Sequence, residues 1–115
     1  MKVIIAGSRT ITDYEVVKTA IKNSGWLDKI TVIVSGCARG VDKLGLRFAK
    51  ENSISTAEFP ADWEKYGRGA GYRRNAEMAN YGDALIAVIQ NNSVGTTDMI
   101  SRMVDKGKPA YIDRH

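Results

Sequence analysis

A turn that binds an anion needs several backbone N–H groups facing one point, glycines that let a ligand approach the main chain, and a cation close by. The stretch Ser35-Gly36-Cys37-Ala38-Arg39-Gly40-Val41-Asp42 offers all of these. A β-branched apolar run, Ile30 to Val34, feeds into it, and a helical pattern from Val41 to Glu51 leaves it. It therefore reads as a strand-to-helix turn, with Gly36 and Gly40 free to adopt angles that a Cβ forbids. Gly7-Ser8-Arg9 repeats the arrangement after the first apolar run, and Val94-Gly95-Thr96-Thr97-Asp98 supplies a third turn. Three such turns at three strand ends predict one shared site for an anionic ligand.

A helix N-terminus contributes only about 0.3–1 kcal/mol to a surface charge, and up to ~2 when partly buried, so cations must share the task. Arg9 and Arg39 lie inside the turns, and Arg74 stands at a helix start beside Arg73. Guanidinium forks grip phosphate bidentately. A solvated or salt-bridged arginine is the competing reading, and Arg9, Arg39 and Arg74 are the three assigned to the ligand. Ser8 and Ser35 either donate to phosphate or cap turns. Thr96 and Thr97 are placed at the opening of the last helix, where hydroxyl and N–H groups serve a phosphate or an N-cap equally well. Asp42 is read as structural, orienting Arg39 or capping a turn. Asp98 is the sharper carboxylate, an acceptor for sugar hydroxyls or an aid to bond cleavage, although a first-turn acid is also ordinary dipole compensation. Trp63, Tyr66 and Tyr72 are candidates for stacking a flat ring, against a satellite core or an oligomer contact. Asn75 either reads a base edge or caps its helix. Cys37 has an arginine neighbour but no base to activate it, and His115, the single histidine, is the last residue. Neither a triad hydrolase, a Walker-type ATPase, a metal cluster nor a bound cofactor is predicted.

The elements that must hold these residues alternate in type. Lys2–Ala6, Ile30–Val34, Ser55–Phe59, Ala84–Ile89 and Pro109–Ile112 read as strands. Thr12 or Asp13 caps a helix whose apolar residues are Val16, Val17, Ala20 and Ile21, ended by Asn23-Ser24-Gly25. Further helices are read over Val41–Glu51, Arg73–Tyr81 and Gly95–Lys106. Pro60 to Tyr72, rich in glycine, aromatics and charge, reads as a long loop of the kind that tends to be functional. Strand–helix alternation predicts an α/β domain: an open, Rossmann-like parallel sheet of about five strands with helices on both faces. Its binding crevice lies at the carboxyl ends of the strands, where every one of these turns falls.

The 115 residues fit a single domain. Hydrophobic residues make up 43% and charged residues 26%, which argues against disorder. One cysteine allows no intrachain disulfide. Without a signal-peptide core or a run of about 20 apolar residues, the expected location is the cytoplasm. The net charge of +4 and pI near 9.3 suit a polyanion or a small anionic metabolite, and charge alone does not choose.

Taken as one ordered set, Gly7-Ser8-Arg9, Ser35-Gly36-x-Ala38-Arg39-Gly40-Val41-Asp42, Phe59-Pro60-Ala61-Asp62-Trp63, Tyr66-Gly67-x-x-Ala70-Gly71-x-x-Arg74-Asn75-x-x-Met78 and Gly95-Thr96-x-Asp98-Met99 resemble the YspA/YpsA-related (YAcAr-type) family of the SLOG superfamily. That superfamily includes DprA and the lonely-guy (LOG) phosphoribohydrolases. The resemblance spans the whole chain and implies a Rossmann-like fold, a site for a nucleotide or nucleotide-derived ligand, and frequent homo-oligomers. Three functions follow as expectations. The first is a sensor or sequestering protein for a phosphorylated or ADP-ribose-like nucleotide. The second is a LOG-like N-glycosidase. LOG enzymes carry Pro-Gly-Gly-x-Gly-Thr-x-x-Glu; here Asn91-Asn92-Ser93 replaces the leading stretch and Met99 stands at the final glutamate. Catalysis would then rest on Asp98 or Glu77 with Arg74. The third, ranked last, is single-stranded nucleic-acid binding by the basic, aromatic segment from Trp63 to Arg74.

Overall fold

The computed structural model describes residues 1–115. The chain runs β1 (Lys2–Gly7), α1 (Tyr14–Asn23), β2 (Val32–Ser35), α2 (Val41–Glu51), β3 (Ser55–Glu58), a short α3 (Trp63–Tyr66), α4 (Ala70–Tyr81), β4 (Ala84–Ile89), α5 (Val94–Asp105) and β5 (Ala110–Arg114). All neighbouring strands are parallel, in the order β3-β2-β1-β4-β5. The expected α/β architecture is the observed one.

Side-chain alternation along the central strands divides the core in two. Val3 and Ile5 of β1, Ile33 of β2, and Ala84, Ile86 and Val88 of β4 bury against Val17, Ala20 and Ile21 of α1 and Val41, Phe48 and Ala49 of α2. Ile4, Ala6, Val34, Leu85 and Ala87 point the other way, onto Met78 and Ala79 of α4 and Met99 and Met103 of α5. β4 is buried at every position, as a central parallel strand covered on both faces must be.

Strand order places the crevice. From β1 the chain winds through β2 to the β3 edge, then crosses back over α4 to lay β4 on the other side of β1. The chain leaving β1 therefore turns to one face of the sheet and the chain leaving β4 turns to the other. Loops diverge at such a reversal and open a hollow above the two strand tips. Gly7, paired in register with Val88, sits at this point. A Cβ there would strike the Val88 carbonyl oxygen and come within 2.7 Å of Val41 Cγ2.

Three sequence readings are corrected. The segment 60–72 is largely helical: α3 and a 3-10 turn, Gly67–Gly69, precede α4, which starts at Ala70 rather than Arg73. Asp62 accepts a hydrogen bond from Lys65 N–H and starts this run. β2 begins at Val32, because Leu27–Lys29 forms a 3-10 turn before it. α5 begins at Val94, so Thr96 and Thr97 lie within its first turn rather than opening it. No helix is long and apolar enough to cross a membrane.

Candidate functional site

A cavity of about 460 Å³ fills the hollow above β1 and β4. Its walls come from three places: the turn after β1, the Gln90–Thr96 segment around the start of α5, and Arg74, Asn75 and Met78 on α4. Ala38 and Asp42 close it on the α2 side. The volume falls in the range of small-molecule sites.

The α5 end of this cavity presents unused donors. Ser93 stands at the N-cap but makes no side-chain cap bond; its hydroxyl pairs with Thr96 Oγ1 at 2.7 Å instead. The first bond to the cap carbonyl comes from Thr97 N–H, to Ser93 O, at 2.9 Å. The N–H groups of Val94, Gly95 and Thr96 precede it and have no helical acceptor. The first turn carries no acidic side chain to offset the dipole. Uncapped amides, a positive helix end and no local acid together make a seat for an anion. Asn91, in the left-handed conformation at φ 58° that asparagine tolerates, turns the chain from β4 toward this helix.

The turn after β2 is built differently from the expectation. Cys37 N–H donates to Ser35 Oγ at 3.1 Å and Ala38 N–H to Asp42 Oδ2 at 3.2 Å. Val41 N–H donates to Ser8 O at 3.3 Å. Three of its amides thus serve the fold, and Asp42 already compensates the α2 dipole. Ser35 is fully buried and Gly40 lies against the Ser8–Arg9 main chain. Asp42 does not contact Arg39 through a hydrogen bond or ion pair; its partner is the Ala38 amide. Burial pushes the Asp42 carboxyl up to about 6, against the pull of the Ala38 N–H, Arg74, Arg9 and the Gly7 N–H.

Arg74 is held in place. Its Nη1 donates to Gly36 O and its Nε to Asn75 Oδ1 at 3.1 Å. Asn75 is buried and uses its amide nitrogen on Gly95 O and Asp98 Oδ2, both at 3.0 Å. Arg102 Nε also reaches Asp98 Oδ2, at 2.8 Å. Asp98 is therefore engaged from two sides and does not line the cavity. Glu77 is exposed on α4 and also lies away from it, as does Thr97. Ser8 lines the cavity, but its hydroxyl stitches the strand tips, donating to Gln90 O at 3.0 Å and accepting from Gln90 N–H at 2.8 Å.

A second cavity, of about 510 Å³, adjoins the first and shares Arg9, Ala38 and Arg74 with it. Gly36, Arg39 and Trp63 are among its walls. The Trp63 indole is half exposed, with the Arg9 guanidinium 6.0 Å from its ring centre. Tyr66 and Tyr72 line neither cavity, and the Tyr66 face is covered by the Arg73 guanidinium at 4.1 Å. Burial, then Glu58, pushes the Cys37 thiol up, which disfavours the thiolate that a nucleophile needs. Three His, Cys, Asp or Glu side chains converge nowhere as a metal would require.

The structure thus brings Gly7, Ser8, Arg9, Asp42, Arg74, Asn75, Gly95 and Thr96 to one cavity, with Gly36, Arg39 and Trp63 next to it. Gln90 and Thr10, joined through Thr10 Oγ1 and Gln90 Oε1 at 3.0 Å, are additional wall residues that sequence reasoning missed. Their signal was position: each follows a strand that the reversal of strand order sets beside the other.

The profile of the YspA, cpYpsA-related SLOG family (YAcAr) matches residues 1–66. The Gene 61 protein of Mycobacterium phage D29 is 35% identical over 115 aligned residues, covering 94% of this chain and 92% of that protein. Among solved structures, the X-ray structure of DNA processing protein A (DprA) from Streptococcus pneumoniae superposes with a TM-score of 0.58 at 18% identity. The superposition covers 95% of this chain but 57% of that one, and speaks to the fold alone. Fold, ordered turns, profile and relative agree, and the chain belongs to the YspA, cpYpsA-related SLOG family.

Proposed function

We propose that this protein binds a nucleotide or nucleotide-derived ligand in the cavity above β1 and β4, as a sensor or sequestering protein. The observation that carries the reading is the uncapped start of α5: Val94, Gly95 and Thr96, whose N–H groups have no helical acceptor, line a cavity that Arg9 and Arg74 also line. Phosphate goes to those amides, with the two guanidiniums as counter-charges. The sugar lies across the strand tips, and a base extends toward Trp63, where stacking is worth about 1–3 kcal/mol. Family membership supports a nucleotide-related role.

A LOG-like hydrolysis has less support. Its candidate carboxylates, Asp98 and Glu77, stand outside the cavity, and Asp98 is tied to Asn75 and Arg102. Calorimetric titration with AMP, ADP-ribose, NAD and cyclic nucleotides tests the binding reading. Saturable binding that weakens at least tenfold in Arg74→Met supports it; folded protein that binds none of them refutes it. Oligo(dT) titrated at low and high salt separates strand binding, which weakens steeply as salt rises. Native mass spectrometry of the same samples reads the subunit count, for which self-association is the family-based expectation, and any co-purifying small molecule.

A further inference from the structure

Asp42 is the conspicuous anomaly of a cavity offered to an anion. It is a carboxylate, only 6% exposed, set into the wall beside Arg9 and Arg74. Ala38 N–H donates to its Oδ2 at 3.2 Å, and the Gly7 N–H also turns to the carboxyl and favours its ionised form. Neither arginine forms a contact ion pair with it: two of the five Arg74 N–H groups go to Gly36 O and Asn75 Oδ1. No buried side-chain nitrogen or oxygen of the chain lacks a partner. The Ala38 and Gly7 N–H groups leave lone pairs on the Asp42 carboxylate, and Asp42 lines the cavity.

An ionised carboxylate only accepts hydrogen bonds. It repels a phosphate and attracts hydroxyl groups. We propose that Asp42 accepts hydrogen bonds from the sugar hydroxyls of the ligand, so that the site selects ribonucleotides over their deoxy counterparts. The inference rests on the nucleotide reading above and deepens it. The geometry separates the two ends of the guest. Phosphate belongs at the α5 end, where no acid stands in the first turn; the hydroxyls belong at the α2 end, where Asp42 lies. A guest that lacks the hydroxyl forgoes this bond to a desolvated charged acceptor, and the lone pair facing it goes unmatched. Asp42 then acts as a specificity determinant in addition to holding the Ala38 amide of its turn.

The test is calorimetric titration of the full chain with AMP, 2′-deoxy-AMP and 3′-deoxy-AMP at pH 8, where the carboxyl is ionised. At least one deoxy analogue should bind ten or more times weaker than AMP. In Asp42→Asn, which keeps shape but brings a donor to the wall, that ratio should fall below about threefold. Equal binding of all three by the parent protein overturns the proposal while leaving the nucleotide reading intact, and needs no variant. Undiminished discrimination in a folded Asp42→Asn protein overturns it too. Failure of AMP and both analogues to bind at all refutes the nucleotide reading itself, and this one with it.

Discussion

Replacing Gly36 by alanine points a methyl group at the Arg74 guanidinium, onto Nη1 and within 2.9 Å of Asp42 Oδ2. What it meets are the ends of two side chains, the Arg74 guanidinium and the buried Asp42 carboxylate, and not backbone. The guanidinium swings away, the fold survives, and the bond to Gly36 O is lost. Hydrogen bonds to charged groups contribute about 1.5–3 kcal/mol, and this one is only part-buried, so stability should fall by no more than ~1.5 kcal/mol. The displaced arginine also leaves its place in the cavity. Loss of one charge-assisted contact to phosphate, again about 1.5–3 kcal/mol, weakens binding about 10- to 150-fold. Gly7→Ala provides the contrast. Its methyl group meets the Val88 carbonyl, which is sheet backbone and cannot move aside. Overpacking of that kind costs ~3 kcal/mol or more, a large share of the roughly 5–15 kcal/mol that holds a domain together. Urea unfolding followed by tryptophan fluorescence, with AMP calorimetry on each protein, reads both effects. A Gly36→Ala protein that binds AMP as tightly as its parent, or loses more stability than Gly7→Ala, would refute the reasoning.

Further outcomes follow from other contacts. Lys108 Nζ donates to the carbonyls of Ala79, Asn80 and Gly82 at 2.7, 3.2 and 2.8 Å, satisfying the end of α4 from a distant loop. Lys108→Met should cost ~2 kcal/mol in urea unfolding and leave ligand affinity unchanged. Asp42 titrates near 6 in the folded chain, above its ordinary 3.8, so the protonated form favours folding. Its contribution is complete below about pH 4 and is lost as pH rises through 6. A gap of about two units amounts to ~3 kcal/mol. The stability of Asp42→Asn relative to the parent should therefore climb by that amount between pH 4 and 7, and a fall would contradict the assignment. Trp63→Leu should weaken nucleotide binding about 5- to 150-fold, and should abolish any fluorescence change that binding produces in the parent protein.

The sheet was legible because its signals are local. Apolar runs such as Ala84–Ile89 and the amphipathic α1 and α2 carry their periods in the sequence, and alternation of the two types fixes the class of fold. The strand order is a different kind of information. Nothing between Glu58 and Ala84 states that β4 lies beside β1 rather than β3, and it is this placement that brings Gln90 and Thr10 into the wall. The three glycine-rich turns look alike as strings, yet their amides have different fates. After β2 the amides of Cys37, Ala38 and Val41 are taken by Ser35, Asp42 and Ser8, whereas Ser93 bonds Thr96 Oγ1 and caps none of the amides of Val94 to Thr96. Which hydroxyl or carboxylate reaches which amide depends on backbone angles that residue types only bias. Asp98 shows the same limit: read from the sequence it looks available, but it falls beyond the first turn of α5, and Asn75, 23 positions away, takes its Oδ2.

Amide chemical-shift mapping of the labelled protein during titration with AMP tests the central claim most directly. The largest perturbations should fall on Val94, Gly95 and Thr96, with Arg74 Nε and Ser8 following at the same midpoint. Perturbations confined to α1 or the β5 edge, with those amides unmoved at saturation, would contradict it.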